Sequence, residues 1–231
     1  MEAIVLAGGF GTRLRSAVSD VPKPMAPMDE KGTPFLKVLF DFLKRNGITH
    51  IVLSIGYMGD IIKDYFGEAY QGISIDYSSE DTPLLTGGAI KKAIAGCVDT
   101  DVFVLNGDTF FDVDLAEMMR KHQAEHADLT IAVKEKFDFD RYGTVDFDEE
   151  RITAFKEKTY CKAGWINGGI YCMKKVLLSS VDAQKFSFEK DFMEKQVDNI
   201  KIIPFQSEGY FIDIGVPEDY YLAKKELLSD H

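Results

Sequence analysis

The stretch Glu2-Ala3-Ile4-Val5-Leu6-Ala7-Gly8-Gly9-Phe10-Gly11-Thr12-Arg13-Leu14 changes character at Gly8. Residues 2–7 are apolar after the first and read as a strand buried on both faces, the kind found inside a parallel sheet. The run is short and follows no basic segment, so it is read as core rather than as a secretory signal. The glycines behind it let backbone N–H groups approach an anion closely. Two well-known phosphate loops fail to match. A dinucleotide fingerprint needs G-x-G-x-x-G, and Leu14 stands where the third glycine belongs. A P-loop needs a lysine after its last glycine, and none follows at that offset.

Outward from this loop, strands and helices alternate. Strands are predicted over 2–7, 50–55, 73–77, 101–105 and 129–134. Helices are predicted over 35–46, 60–66, 88–95 and 114–125. Gly47 and Gly67 serve as stops, Asp60 as a cap, and Asp114 with Glu117 as a capping pair. The pattern implies an α/β fold with a mostly parallel sheet flanked by helices on both faces. After about residue 143 the strands shorten (144–147, 152–157, 168–173), Ser187 caps a helix through 195, and Pro217 opens a last one. This second half reads as an α+β extension over the carboxyl edge of the sheet, where ligands of such sheets bind. One domain is expected over 1–231, with a first part over about 1–135 and a second over about 136–231.

The 231 residues are 45% hydrophobic and 28% charged, an ordinary globular profile. No apolar run reaches the roughly 18 residues of a membrane helix. The net charge of −11 argues against a nucleic-acid surface. Cys97, Cys161 and Cys172 form no CxxC pair and read as buried or half-buried thiols of a reducing cytoplasm. His50, His122, His126 and His231 lie outside every motif and read as surface residues.

In so acidic a chain, cations inside glycine-rich loops carry information. Arg13 sits in the first loop, and Pro22-Lys23-Pro24-Met25 fixes a lysine between two prolines. A held cation beside an anion loop suits a triphosphate. Here the sequence resembles the sugar-1-phosphate nucleotidyltransferase family, whose motif GGxGTRL…PKPM stands as Gly8-Gly9-Phe10-Gly11-Thr12-Arg13-Leu14 and Pro22-Lys23-Pro24-Met25. The resemblance implies a Rossmann-like mixed, mostly parallel sheet of the nucleotide-diphospho-sugar transferase type, with the nucleotide bound by the part over about 1–135 and the sugar phosphate by the part over about 136–231. It gives Arg13 and Lys23 catalytic roles, Arg13 steadying the triphosphate and Lys23 bridging its phosphates in the transition state. Leu6, Ala7, Gly8, Gly9, Gly11 and Thr12 would then hold the nucleotide.

Asn106-Gly107-Asp108 ends a buried strand, and a carboxylate placed there beside a phosphate loop is a candidate Mg²⁺ ligand. In the family this Gly-Asp pair supplies a metal aspartate, so Asp108 takes both roles, metal ligand and nucleotide contact. Asp213, in Asp213-Ile214-Gly215-Val216-Pro217, resembles the family's late D-x-G-x-P carboxylate, the second metal ligand. Asp112 and Asp114 read as a loop acceptor and a helix cap.

Glu80-Asp81-Thr82-Pro83-Leu84-Leu85-Thr86-Gly87-Gly88 resembles the family's base-recognition loop, with Leu85 where a glycine is usual. The resemblance makes Glu80, Pro83, Thr86 and Gly87 nucleotide residues. Guanine offers two N–H donors on its Watson–Crick edge, which a carboxylate accepts, so Glu80 favours GTP over UTP or dTTP. For the sugar phosphate, the resemblance assigns Asn106, Gly143, Glu157, Lys158, Asn167 and Gly168. Trp165 is open to two readings, a sugar-stacking ring or a core side chain. The segments NGDTFFDVD, FDRYGTV, INGGIY and YFIDIGVPEDYY resemble the D-glycero-α-D-manno-heptose 1-phosphate guanylyltransferases within the family, which make nucleotide sugars for surface polysaccharide.

The expected partners are GTP and a sugar 1-phosphate, not nucleic acid or membrane, with a homodimer left open beside the monomer. Other readings are a mannose-1-phosphate guanylyltransferase, or a UTP- or dTTP-dependent enzyme acting on a hexose or amino-sugar 1-phosphate. A non-catalytic nucleotide-sugar regulator is a further one. A nucleotide-dependent oxidoreductase is disfavoured by Leu14 and by Pro22-Lys23-Pro24.

Overall fold

The structure, a computed structural model, describes residues 1–11, 13–156 and 158–227. The first half runs β1 (Glu2–Leu6), α1 (Phe35–Arg45), β2 (His50–Ile55), α2 (Gly59–Phe66), β3 (Ala69–Tyr70), β4 (Ile73–Ser79), α3 (Leu85–Ala93), β5 (Asp101–Asn106), β6 (Thr109–Phe111) and α4 (Leu115–Ala124). The second half adds β7 (Leu129–Phe139), β8 (Thr144–Phe147), β9 (Ile152–Lys156) and β10 (Cys161–Lys174). A π-helical segment, Phe188–Met193, then continues into α5 (Glu194–Gln196), before β11 (Ile202–Gln206), β12 (Phe211–Asp213) and α6 (Pro217–Glu226).

The main sheet has the order β11-β7-β10-β5-β1-β2-β4-β3. Its centre, β5-β1-β2-β4, is parallel throughout. Strand β1 shows why the apolar run at the start of the chain demands this place. Ala3 and Val5 point into one core with Phe35, Leu36 and Leu39 of α1, while Ile4 points into the other with Ile90 and Ala93 of α3. A strand with period 2 and apolar residues on both faces is stable only between two helical layers. Helix α1 ends as its sequence requires: Asn46 follows the last turn and Gly47 takes φ +75°. At the start of α4, Asp114 accepts a hydrogen bond from the Glu117 N–H at 2.8 Å, the expected cap.

Some local expectations are corrected. Met58, at φ +57°, precedes α2, so Asp60 lies inside the first turn rather than at the cap. Helix α3 begins at Leu85, earlier than the glycine pair suggested. The larger correction concerns the second half, which is not merely a cover. Strand β10 is fourteen residues long and enters the sheet antiparallel between β5 and β7. Its carboxyl half is buried on both faces, so it satisfies the open hydrogen-bonding edge of β5 and fills the space between the two cores. The pair β6–β12 forms a separate two-stranded sheet whose strands are too short for a periodicity signal.

Cys97 and Cys172 are buried and Cys161 partly so, as expected. His122 is not on the surface. It is 1% exposed, its Nδ1 lies 2.8 Å from Thr130 Oγ1, and its Nε2 has no hydrogen-bond partner. Burial lowers its pKa below the ordinary 6.5, against a weaker opposite pull from Asp101. The unfolded chain therefore binds the proton more readily. This part of the stability is complete above pH 6.5 and is lost as the pH falls below it. Melting curves between pH 7.5 and 5 should show that loss in the wild type and a flatter profile in His122→Gln. An unchanged slope in the variant places the proton uptake elsewhere. Among the described residues no helix is long and apolar enough to cross a membrane.

Candidate functional site

The carboxyl ends of β1, β2 and β5 bring Leu6, Ser54 and Asn106 into one cavity of about 480 Å³. Ala7, Gly8, Gly9, Gly11, Arg13 and Lys23 line it as well, so the first loop lies where the sequence put it. Gly11 takes φ +58°, and a Cβ on it would stand 3.0 Å from Lys23 Cβ. The glycine therefore lets the loop close over the lysine stem. Pro22 and Pro24 hold Lys23 in a short 3-10 turn, with its side chain 10% exposed. Thr12 lies outside the described residues.

At the end of β5, the Gly107 N–H donates to Leu6 O at 2.9 Å, and a Cβ there would come within 2.5 Å of that oxygen. This close approach turns Asp108 toward the loop. Strand β12 pairs with β6 so that Asp213 stands opposite Thr109, which brings the late carboxylate beside Asp108. The Lys23 ammonium donates to Asp108 Oδ2 and lies 4.0 Å from Asp213 Oδ1. Gly215 keeps the corner open: a Cβ on it would stand 2.8 Å from Asp213 Oδ1 and 3.2 Å from Lys23 Nζ. Burial, and then the Asp108 charge, raise the Asp213 carboxyl above its ordinary range, while Lys23 opposes both. Two facing carboxylates need a cation, and in this arrangement Lys23 supplies it. Among the described residues no cluster of three or more His, Cys, Asp or Glu side chains could hold a metal ion. Asp108 and Asp213 fit Mg²⁺ in its usual mode, with one or two carboxylates completed by substrate phosphates.

The far end of the cavity holds Glu80, Pro83, Leu85, Thr86 and Ala89. Ser54 Oγ donates to Glu80 Oε1 at 3.0 Å, and the Leu84 N–H donates to Oε2 at 2.9 Å. Each oxygen keeps a lone pair for a ligand. Leu85 has φ +61°, a conformation that glycine adopts without strain. Gly87, expected to touch nucleotide, is instead set behind the wall. A Cβ on it would collide with the Phe186 ring at 2.2 Å, and its N–H donates to Phe186 O. Thr86 lines the cavity and donates to Glu189 Oε2 at 2.6 Å.

A second cavity of about 260 Å³ adjoins the first, and Asn106 and Glu189 line both. Gly143, Lys158, Asn167 and Gly168 line it, as the sequence proposed, together with Asp213. The pairing of β10 with β7 shifts register between Asn167 and Tyr171, and this irregularity turns Asn167-Gly168-Gly169 into the cavity. Asn167 is locked in place, donating to Tyr171 Oη and accepting from the Gly169 N–H, each at 2.9 Å. Gly143 lets its segment pass β9, since a Cβ would sit 2.6 Å from Lys156 O. Glu157 lies outside the described residues. Trp165 packs against Phe147 at 5.5 Å between ring centroids and lines neither cavity. Asp112 is exposed at the end of β6.

Sequence reasoning missed Ser54 and Glu189. Ser54 carried a usable signal, a hydroxyl inside the apolar strand HIVLSI, because a buried polar group needs a partner. Glu189 carried none, since it reads as one polar residue of a helix.

This geometry agrees with the comparisons with known proteins. A family model described as nucleotidyl transferase matches residues 2–230. The chain is 51% identical over 228 residues to the D-glycero-alpha-D-manno-heptose 1-phosphate guanylyltransferase of Aneurinibacillus thermoaerophilus, covering 98% of each chain. It is 46% identical over 223 residues to the protein of the same name from Campylobacter jejuni, covering 96% of this chain and 97% of that one. Among solved structures it superposes with a TM-score of 0.87 on HddC from Yersinia pseudotuberculosis complexed with GMP-PN. That match has 37% identity and covers 97% of this chain and 98% of that one. With a glycine loop, a proline-held lysine and two converging carboxylates at the sheet's carboxyl edge, and matches that run nearly end to end, the chain belongs to the nucleotidyl transferase family.

Proposed function

We propose that this enzyme transfers a guanylyl group from GTP to D-glycero-α-D-manno-heptose 1-phosphate, giving GDP-heptose and pyrophosphate. The observation that carries the reading is the junction of the two cavities. A carboxylate with free lone pairs stands at one end, a lysine-bearing cavity at the other, and Lys23, Asp108 and Asp213 lie between them. The names of the full-length relatives support the choice of guanine and heptose.

In this reading Glu80 accepts the two N–H groups of guanine, and the backbone of Gly8, Gly9 and Gly11 faces the triphosphate. Arg13 and Lys23 offset its charge, and Lys158, Asn167 and the backbone at Gly143 and Gly168 hold the sugar phosphate. Asp108 and Asp213 would hold Mg²⁺, which supplies charge neutralisation on the phosphates when bound. A sugar-phosphate oxygen forms a bond to the α-phosphorus, and the bond to the β-phosphate oxygen breaks. Pyrophosphate leaves with the electron pair. The nucleophile is a phosphate monoester with a second pKa of about 6, already ionised at neutral pH, so no protein base is required. Consistent with this, none of the described histidines lines either cavity. Catalysis is positioning and preorganised charge.

The test is pyrophosphate release in a matrix of four nucleoside triphosphates against D-glycero-α-D-manno-heptose 1-phosphate, mannose 1-phosphate and glucose 1-phosphate. The expected maximum in kcat/KM is GTP with the heptose phosphate. Equal efficiency with UTP or dTTP overturns the role of Glu80. A maximum with mannose 1-phosphate overturns the sugar assignment alone.

A further inference from the structure

We propose that Leu85 is an apolar clamp on the nucleoside of the bound nucleotide, retained although its backbone would suit glycine better. The proposal rests on the larger cavity being the nucleotide site. Leu85 opens α3 with φ +61°, where any Cβ crowds its own backbone. Backbone strain of this kind clusters at active sites and ligand clamps.

The fold itself makes little use of this side chain. Leu85 is 49% exposed, while the leucines of α1 are fully buried. What it does is line the cavity beside Pro83 and Ala89, at the end that holds Glu80. The Glu80 carboxylate is held by the N–H of Leu84, the residue immediately before Leu85. The group that reads the edge of a base and the apolar group beside it are therefore set by one turn of chain. A base presents a polar edge and apolar faces, and this turn offers a partner for each. The exposed leucyl surface is covered when a nucleoside binds, and that burial favours the complex.

Leu85→Gly and Leu85→Ala separate the clamp from the strain. Glycine removes both, and alanine removes only the clamp. Both variants should raise KM for GTP by about 3–10-fold, the scale of partly burying one leucine side chain. The unliganded Leu85→Gly protein should melt about 2 °C above Leu85→Ala, because glycine tolerates the positive φ. A nucleotide KM within twofold of wild type in both variants overturns the clamp, and so does an equal rise in the KM for the sugar phosphate. The wild-type nucleotide profile, measured alongside, tests the guanine reading separately. If another nucleotide is preferred, that reading falls and the clamp is judged on the KM for the preferred nucleotide.

Discussion

Asp108→Asn should give a folded protein that has lost Mg²⁺-dependent transfer, a fall of about 10³-fold or more in kcat, the several kcal/mol of a missing metal anchor. The exchange keeps the volume and removes the charge. The Asp108 carboxylate is partly open to solvent, and its partners are the Lys23 ammonium and the Thr109 hydroxyl. No core packing depends on it, so circular dichroism and the melting transition should remain those of a native protein. Removing one of two facing carboxylates also relieves the repulsion that raises the Asp213 pKa. Activity near wild type, or a variant that simply fails to fold, overturns the assignment of Asp108 as a metal ligand.

Lys23→Met should lower turnover by very roughly 10²–10³-fold, the loss seen when one preorganised electrostatic contact is removed. Methionine replaces the apolar stem of the lysine and leaves out only the ammonium, so the turn between Pro22 and Pro24 should survive. The structure adds a second expectation. Lys23 stands beside both Asp108 and Asp213, and without it only Arg13 and the Gly215 N–H are left to oppose the repulsion at Asp213. Lys23→Met should therefore melt below wild type in chelator, and Mg²⁺ should narrow the gap. Near-wild-type turnover rules out a catalytic role. A melting gap that Mg²⁺ does not change separates the lysine from the metal carboxylates.

How much of this was legible beforehand depended on the distance over which each signal acts. Strand β1, helix α1 with Gly47 behind it, and the Asp114 cap are decided by residues a few positions apart, and they stand as read. The glycine loop and Lys23 are also local features, and the described residues Leu6, Ala7, Gly8, Gly9, Gly11, Arg13 and Lys23 line one cavity. The packing of Gly87 was not legible, because a glycine that lines a cavity and one that makes room for a ring look alike in sequence. Here the ring is Phe186, which only the folded chain brings near. His122 looked like a surface residue for the same reason. Its partner Thr130 lies across a turn, and its burial comes from the way α4 packs on the sheet.

By itself, the sequence determined the α/β class, the glycine-rich first loop at the end of β1 and the membership of the family whose motifs it carries. These rest on hydrophobic period, chain stops and short motifs. Only the tertiary structure decided that β10 enters between β5 and β7, and that β6 pairs with β12 so that Asp213 reaches Asp108. It also decided that Glu189 stands between the two cavities and that Leu85 holds a conformation suited to glycine. Strand order and such meetings depend on which buried faces and open edges fit one another across the whole chain, and no local pattern records that fit.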